Sequence, residues 1–492
     1  MYNNPILYAD YSDPDVIRVG EDFYMVASSF TYLPGVPILH SRDLVHWELI
    51  NYAVFSLPSP RYDAPRHGSG TWAPSIRYHN GMYYIFIPLP DEGIYVARCE
   101  DIRGRFRVNC LVEAKGWIDP CPLWDDDGRA YMVFAFARSR CGIKHRLAMV
   151  EMDPECTHLI GQVQEVFHQE DIAPTIEGPK LYQKDGLYYI FAPAGGVATG
   201  WQAVLRSSSI WGPYEYKVVL RQGNTDINGP HQGGWVTAPD GSDWFIHFQD
   251  VIELGRITHL QPMHWQDGWP VMGDNGEPVT GFRLPVSNAP HYEIAQSDDF
   301  AEGLGLQWQW QANPRKEFYN ISGNALRLNC LSNPARESLL WYAPNALTQI
   351  PQHKSLCVQT KLTLHPDQPG DMASLGMLGH RYAYLALEAG YLRLYTGIVS
   401  DDQDLGEAEE ALAAQVSYAF PTVYLRLVLE EDKHYRFFWS ADAVEYHPIG
   451  DALPLHRATW TGAKLCLWAA NKDNLTSGGF GEYSYIHIIP VE

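Results

Sequence analysis

No stretch of this chain is apolar and long enough to cross a bilayer, and none of its eight cysteines forms a CxxC pair. The first absence argues against a membrane span. The second argues against a metal knuckle or a disulfide framework, and for scattered thiols in a reducing compartment. The N-terminal MYNNPILYADYSDPD has neither a basic nor an apolar leader region, so a signal peptide is not expected and a cytoplasmic address is. Positive charge is scarce too: 36 Lys+Arg face 58 Asp+Glu, for a formal net charge of -22. Such a surface repels phosphate backbones, argues against a nucleic-acid partner and does not favour an acidic substrate. GxSxG, P-loop, HExxH and dinucleotide fingerprints are all missing, which leaves serine hydrolase, NTPase, zincin and dehydrogenase readings unsupported. Asp125-Asp126-Asp127-Gly128 lacks the ligand spacing and closing Glu of a calcium loop and reads as a hairpin turn.

What is present is a repeat. Turn residues followed by an aromatic-rich alternating strand recur as EDFYMVASSF, NGMYYIFIP, DGRAYMVFAF, DGLYYIFAP and DGSDWFIHFQD. The second turn residue falls at 22, 81, 128, 186 and 241, in steps of 59, 47, 58 and 55. Four of the five turns are Asn-Gly or Asp-Gly, the residues a tight hairpin wants because both central positions take positive φ. A second apolar strand precedes each turn, and the period leaves room for two more. Helical periodicity is nearly absent, so the reading is all-β, with a five-bladed β-propeller over residues 1–292. After LPVSNAPHYEIAQSDDF the period ends and short alternating runs follow, which predicts a β-sandwich over 293–492. Within it, DDQDLGEAEEALAAQ from Asp401 is expected to be an exposed loop or short helix. The 16 Trp and 30 Tyr are mostly strand and core residues, though flat aromatic faces also suit sugar rings.

The residue opening each first strand carries the chemistry. Asp13, Trp72, Asp119 and Glu177 each stand nine before the turn marker, and His231 stands ten before. Equivalent positions in a propeller share radius and height, so these side chains should meet at one mouth of the channel. Taken singly, Asp13-Pro14 or Asp119-Pro120 is a turn, Trp72 core, and His231 a satisfied buried histidine. The shared register changes that, because three carboxylates around one axis are costly to hold unless they serve a site. Two carboxyls suffice for glycoside hydrolysis without a cofactor: an acid protonates the leaving oxygen and, for inversion, a base activates water on the opposite face. The third tunes and positions the acid.

At these residues the sequence resembles glycoside hydrolase family 43, the β-xylosidases and α-L-arabinofuranosidases. YSDPDVIRVGEDFYMVASSF, GTWAPSIRYHNGMYYIF, GWIDPCPLWDDDGRAYMVF, TIEGPKLYQKDGLYYIF and NGPHQGGWVTAPDGSDWFIHFQD carry the resemblance through most of the first 280 residues, and GRITHLQPMHWQDGWPVMG completes it. It implies Asp13 as general base, Asp119 as the pKa tuner and Glu177 as general acid. It further implies Phe30 and Trp72 as walls of the sugar subsite and Arg256 as a partner of substrate hydroxyls. His231 matches a histidine on the propeller axis that in some members helps hold calcium through waters, and in others faces the substrate. One departure is that Tyr11-Ser12 stands before the base, where β-xylosidases of the family carry Asn-Pro. The expected substrate is a small xylo-oligosaccharide cut from its non-reducing end, with an α-L-arabinofuranoside as the alternative. A non-catalytic sugar-binding propeller is the reading from another class, and a homo-oligomer is left open.

Overall fold

The computed structural model describes residues 1–333, 338–400 and 406–491. Five four-stranded antiparallel sheets come first, each a meander in chain order. Their first strands are Asp15–Val19, Ser75–His79, Trp117–Trp124, Lys180–Lys184 and His231–Thr237. Each lies at the inner edge of its blade, and each has a proline just before or within it (Pro14, Pro74, Pro120, Pro179, Pro230), where no ladder hydrogen bond is lost. The tight turns follow their residues. Asn80-Gly81 and Asp185-Gly186 both take positive φ between directly paired strand ends, as a two-residue hairpin demands. At Asp127-Gly128 and Asp240-Gly241 only the glycine does, because those loops are five residues long and close on a bond from the glycine N–H to Asp125 or Ala238. There the dipeptide located the hairpin and misjudged its length.

The inner strands are stitched to one another around the axis. Asp15 Oδ2 accepts from Ile76 N–H at 2.9 Å and from Arg77 Nη1 at 2.7 Å in the next blade. Arg77 reaches Cys121 Sγ, which also takes Leu181 N–H, and Tyr182 Oη takes Trp235 N–H. Tyr2–Asn3 pairs with Gly281–Phe282, and the Tyr2 hydroxyl donates to Leu260 O at 2.8 Å, so the N-terminal segment is anchored to the last blade.

Two seven-stranded sheets form the second half, packed over a core of buried Leu, Val and aromatic side chains. Ala408–Ser417 is an edge strand of one of them, paired with Tyr391–Val399, which corrects the expectation of a loop or helix for that run. The cause is Glu410, whose carboxylate takes the Tyr382 and Tyr384 hydroxyls, Lys472 and Leu340 N–H, and so fastens the strand to the sheet. The run's start, residues 401–405, lies outside the described residues.

The sandwich sits against the propeller face that carries the first-strand entries. Leu33 and Trp310 bond to each other through their backbones. His67 stacks on Trp341 at 3.6 Å, Lys433 pairs with Glu253 at 2.6 Å, and Gly462 N–H donates to Asp10 Oδ2 at 2.9 Å. A Cβ on Gly462 would lie 2.3 Å from the Leu254 carbonyl carbon, so only glycine allows this approach.

Candidate active site

Asp13, Asp119 and Glu177 line one pocket of about 240 Å³, together with Phe30, Trp72 and Arg256. Two of the blade entries leave ordinary strand geometry to aim side chains into it. Asp13 and Asp119 take φ of 55° and 56°, and Asp119 lies in a bulge between Ile118 and Cys121. Left-handed backbone is tolerated by Asp, and a bulge redirects the side chain it carries. In the last two blades the left-handed residues are Gly178 and Gln232, one after Glu177 and His231. Gly178 has no room for a side chain, because the Gln232 amide would stand 2.8 Å from its Cβ.

The three carboxyls have different surroundings. Asp13 accepts from Ser28 Oγ at 2.6 Å and from Arg256 Nη1 at 3.0 Å, and is held in one orientation by both. Burial works against the Arg256 cation, but Asp13, Asp250 and Asp10 more than offset it, so the guanidinium stays charged. Its flat face lies over Phe248 at 5.0 Å. Burial, with Glu177 and Asp13 adding to it, pushes the Asp119 carboxyl up to about 8; Gly178 N–H, at 2.7 Å from Oδ2, and Lys180 oppose the shift. Glu177 is the more open of the two, a quarter exposed, and meets His231 Nε2 at 3.1 Å.

The aromatic walls are where the sequence placed them. Phe30 and Trp72 meet edge to face at 6.2 Å. The sandwich adds a third, Trp460, which lines the same pocket and meets Trp72 at 6.2 Å. Sequence reasoning missed Trp460, since it lies outside the repeat whose register exposed the others. Ser28, Gln232 and Lys144 were missed as well; Lys144 had a signal, being one of five basic residues between Arg138 and Arg146.

Calcium finds little here. His231 Nε2 is engaged by Glu177, and its buried Nδ1 has no hydrogen-bond partner among the described residues. Among those residues no group of three or more His, Cys, Asp or Glu side chains could hold a metal ion. Calcium takes six to eight oxygen ligands, so these side chains do not form a calcium site of their own.

Residues 2–270 match glycosyl hydrolases family 43, and residues 297–488 match the β-xylosidase C-terminal concanavalin A-like domain. The chain belongs to family 43. A putative β-xylosidase of Xylanibacter ruminicola is 37% identical over 481 residues, covering 95% of this chain and 86% of that protein. A non-reducing end α-L-arabinofuranosidase of Bacteroides ovatus is 31% identical over 348 residues, 65% of this chain and 63% of its own. Among solved structures, a bifunctional GH43-CE protein of Bacteroides eggerthii superposes with a TM-score of 0.87 at 27% identity, over all of this chain and 64% of that one. As a family 43 member the protein is a glycoside hydrolase, and its relatives' names divide between xylosidase and arabinosidase.

Proposed function

We propose that the enzyme is an exo-acting, inverting β-xylosidase that releases xylose from the non-reducing end of small xylo-oligosaccharides. The observation that carries this is the unequal treatment of two carboxyls in one small pocket. Asp13 is fixed by Arg256 and Ser28, as a base must be, while Glu177 has one oxygen engaged by His231 and the other left for a leaving group. A pocket of about 240 Å³ falls below the roughly 300–1,000 Å³ of drug-sized sites and suits a chain end better than a polymer run.

In this reading a xylosyl ring lies against the wall that Phe30 and Trp72 form together. Asp13 takes a proton from a water that attacks the anomeric carbon as the glycosidic bond breaks, and Glu177 gives its proton to the departing oxygen. Asp119, its carboxyl pushed up to about 8 by burial, keeps its proton at neutral pH beside the two carboxyls that act on the substrate. Afterwards solvent removes the proton from Asp13 and restores that of Glu177. The α-L-arabinofuranoside reading draws support from the Bacteroides ovatus relative's name.

Proton NMR during turnover of an aryl β-xyloside tests both chemistry and substrate. The α-anomer of xylose is expected to appear first. First formation of the β-anomer would exclude inversion, and a higher rate on the aryl α-L-arabinofuranoside would overturn the substrate.

A further inference from the structure

One cation lining the pocket has no task in the hydrolysis itself. Lys144 lines the pocket beside Thr175 and Glu177, at the end of the loop joining strands Ala130–Phe136 and Leu147–Met152. That loop carries Arg138, Arg140, Lys144, His145 and Arg146, and no acidic residue stands between Ala130 and Val150. In a chain of net charge -22 this run is locally basic, and through Lys144 it borders the pocket.

Three of the other four loop residues have partners within the protein, and the fourth, Arg138, is exposed and does not line the pocket. Arg140 pairs with Asp91 at 3.0 Å, Arg146 with Glu165 at 2.8 Å, and His145 Nε2 stands 3.5 Å from Glu170. Arg256, the other cation lining the pocket, is engaged by Asp13. Among the described residues Lys144 forms neither an ion pair nor a side-chain hydrogen bond, and it is only half-buried. Its ammonium is therefore free to meet a group on the substrate. Neutral hydroxyls do not require a full charge. A carboxylate does, because Asp13 repels it and a cation lining the same pocket offsets that repulsion.

We propose that Lys144 is a specificity-determining residue for the leaving group, receiving the carboxylate of a uronic acid borne on the sugar next to the bond being cut. The preferred substrate class is then a uronate-branched xylo-oligosaccharide with an unsubstituted xylose at its non-reducing end. This rests on the β-xylosidase reading above and narrows it. It also departs from the expectation drawn from overall charge, because it rests on one unpaired cation in the pocket lining and not on the net charge.

The test compares xylose release from xylotriose with a glucuronic acid on its middle residue against the same compound with that carboxyl reduced to the alcohol. The two differ in charge and hardly in shape. For the wild type the kcat/KM ratio of acid to alcohol is expected near fivefold at low ionic strength, about what one partly exposed ion pair supplies, and to shrink with added salt. Lys144→Gln should bring the ratio to about one, and Lys144→Glu below one. The same ratio in all three proteins, or cleavage of linear xylotriose with neither branched compound accepted, overturns the proposal and leaves the β-xylosidase reading standing. No xylose from linear xylotriose would overturn that reading and this proposal with it.

Discussion

Glu177 and His231 occupy the same place in neighbouring blades, each just before a left-handed residue, and their side chains meet at 3.1 Å. With its proton on Nε2, His231 donates to one carboxyl oxygen and leaves the other to face the pocket. Glu177→Gln keeps the shape of this arrangement and removes the acid. Turnover of xylobiose, whose leaving group needs protonation, is expected to fall by about 10²- to 10⁴-fold. An aryl xyloside with a strongly acidic phenol should lose far less, and sugar binding measured by calorimetry should persist. Equal losses on both substrates would contradict the assignment of Glu177 as the acid.

The Asp13 site leads to a different pattern. Its carboxylate is oriented by Ser28 and Arg256 and acts on water, which every substrate shares. Asp13→Asn is therefore expected to lower kcat by about 10²- to 10⁴-fold on xylobiose and on activated aryl xylosides alike. Arg256→Met should lower both as well, since it leaves the base unoriented and buried without its charge partner. A comparison of kcat across a series of leaving groups checks both variants. A strong leaving-group dependence in Asp13→Asn would place the defect in the wrong step.

The buried Asp119 makes stability depend on pH in an unusual direction. Its carboxyl goes from about 3.8 in the unfolded chain to about 8 in the fold, so between those values the native state binds the extra proton. Stability contributed by this group is complete below about pH 4 and declines as pH rises toward 8. The slope is at most about 1.4 kcal/mol per pH unit for one proton. Asp119→Asn is neutral at every pH and should remove that slope between pH 5 and 8, as urea unfolding would report. Its activity should fall as well, because the cluster loses the proton it held. An unchanged slope in the variant would show that Asp119 is not the group retaining the proton.

The propeller was legible because repetition multiplies a weak signal. A single Asp-Gly before an aromatic strand says little, whereas five turn-and-strand units 47 to 59 residues apart give the blade count and the register that brought Asp13, Asp119 and Glu177 together. The register was a residue off for His231, because a bulge between His231 and Gly233 absorbs the difference. What the repeat could not carry stayed hidden. Ser28 is an ordinary strand-end serine until Asp13 is seen beside it, and Glu410 makes a strand of an acidic run only through tyrosines and a lysine from distant strands. Trp460 belongs to a domain without the period, and reaches the pocket only because the two halves of the chain pack against each other.

That packing makes the role of Trp460 separable from the role of the sandwich. The loop around it is held by Gly462 N–H on Asp10 Oδ2 and by Ala463 N–H on Glu253 O, both backbone donors that a change of the indole does not touch. Asp10 also receives Arg256 N–H, so the loop and the positioning of the base share an anchor. Trp460 itself is 48% exposed, and its burial contributes little to folding. Trp460→Ala is therefore expected to leave the thermal unfolding midpoint nearly unmoved while raising KM for xylotriose by up to about tenfold, the upper range for one aromatic contact. Trp460→Phe should recover most of the loss. A fall in kcat with KM unchanged would mean that the indole acts on the bond-breaking step and not on the sugar beyond it, and a lowered unfolding midpoint would mean that it holds the domains together.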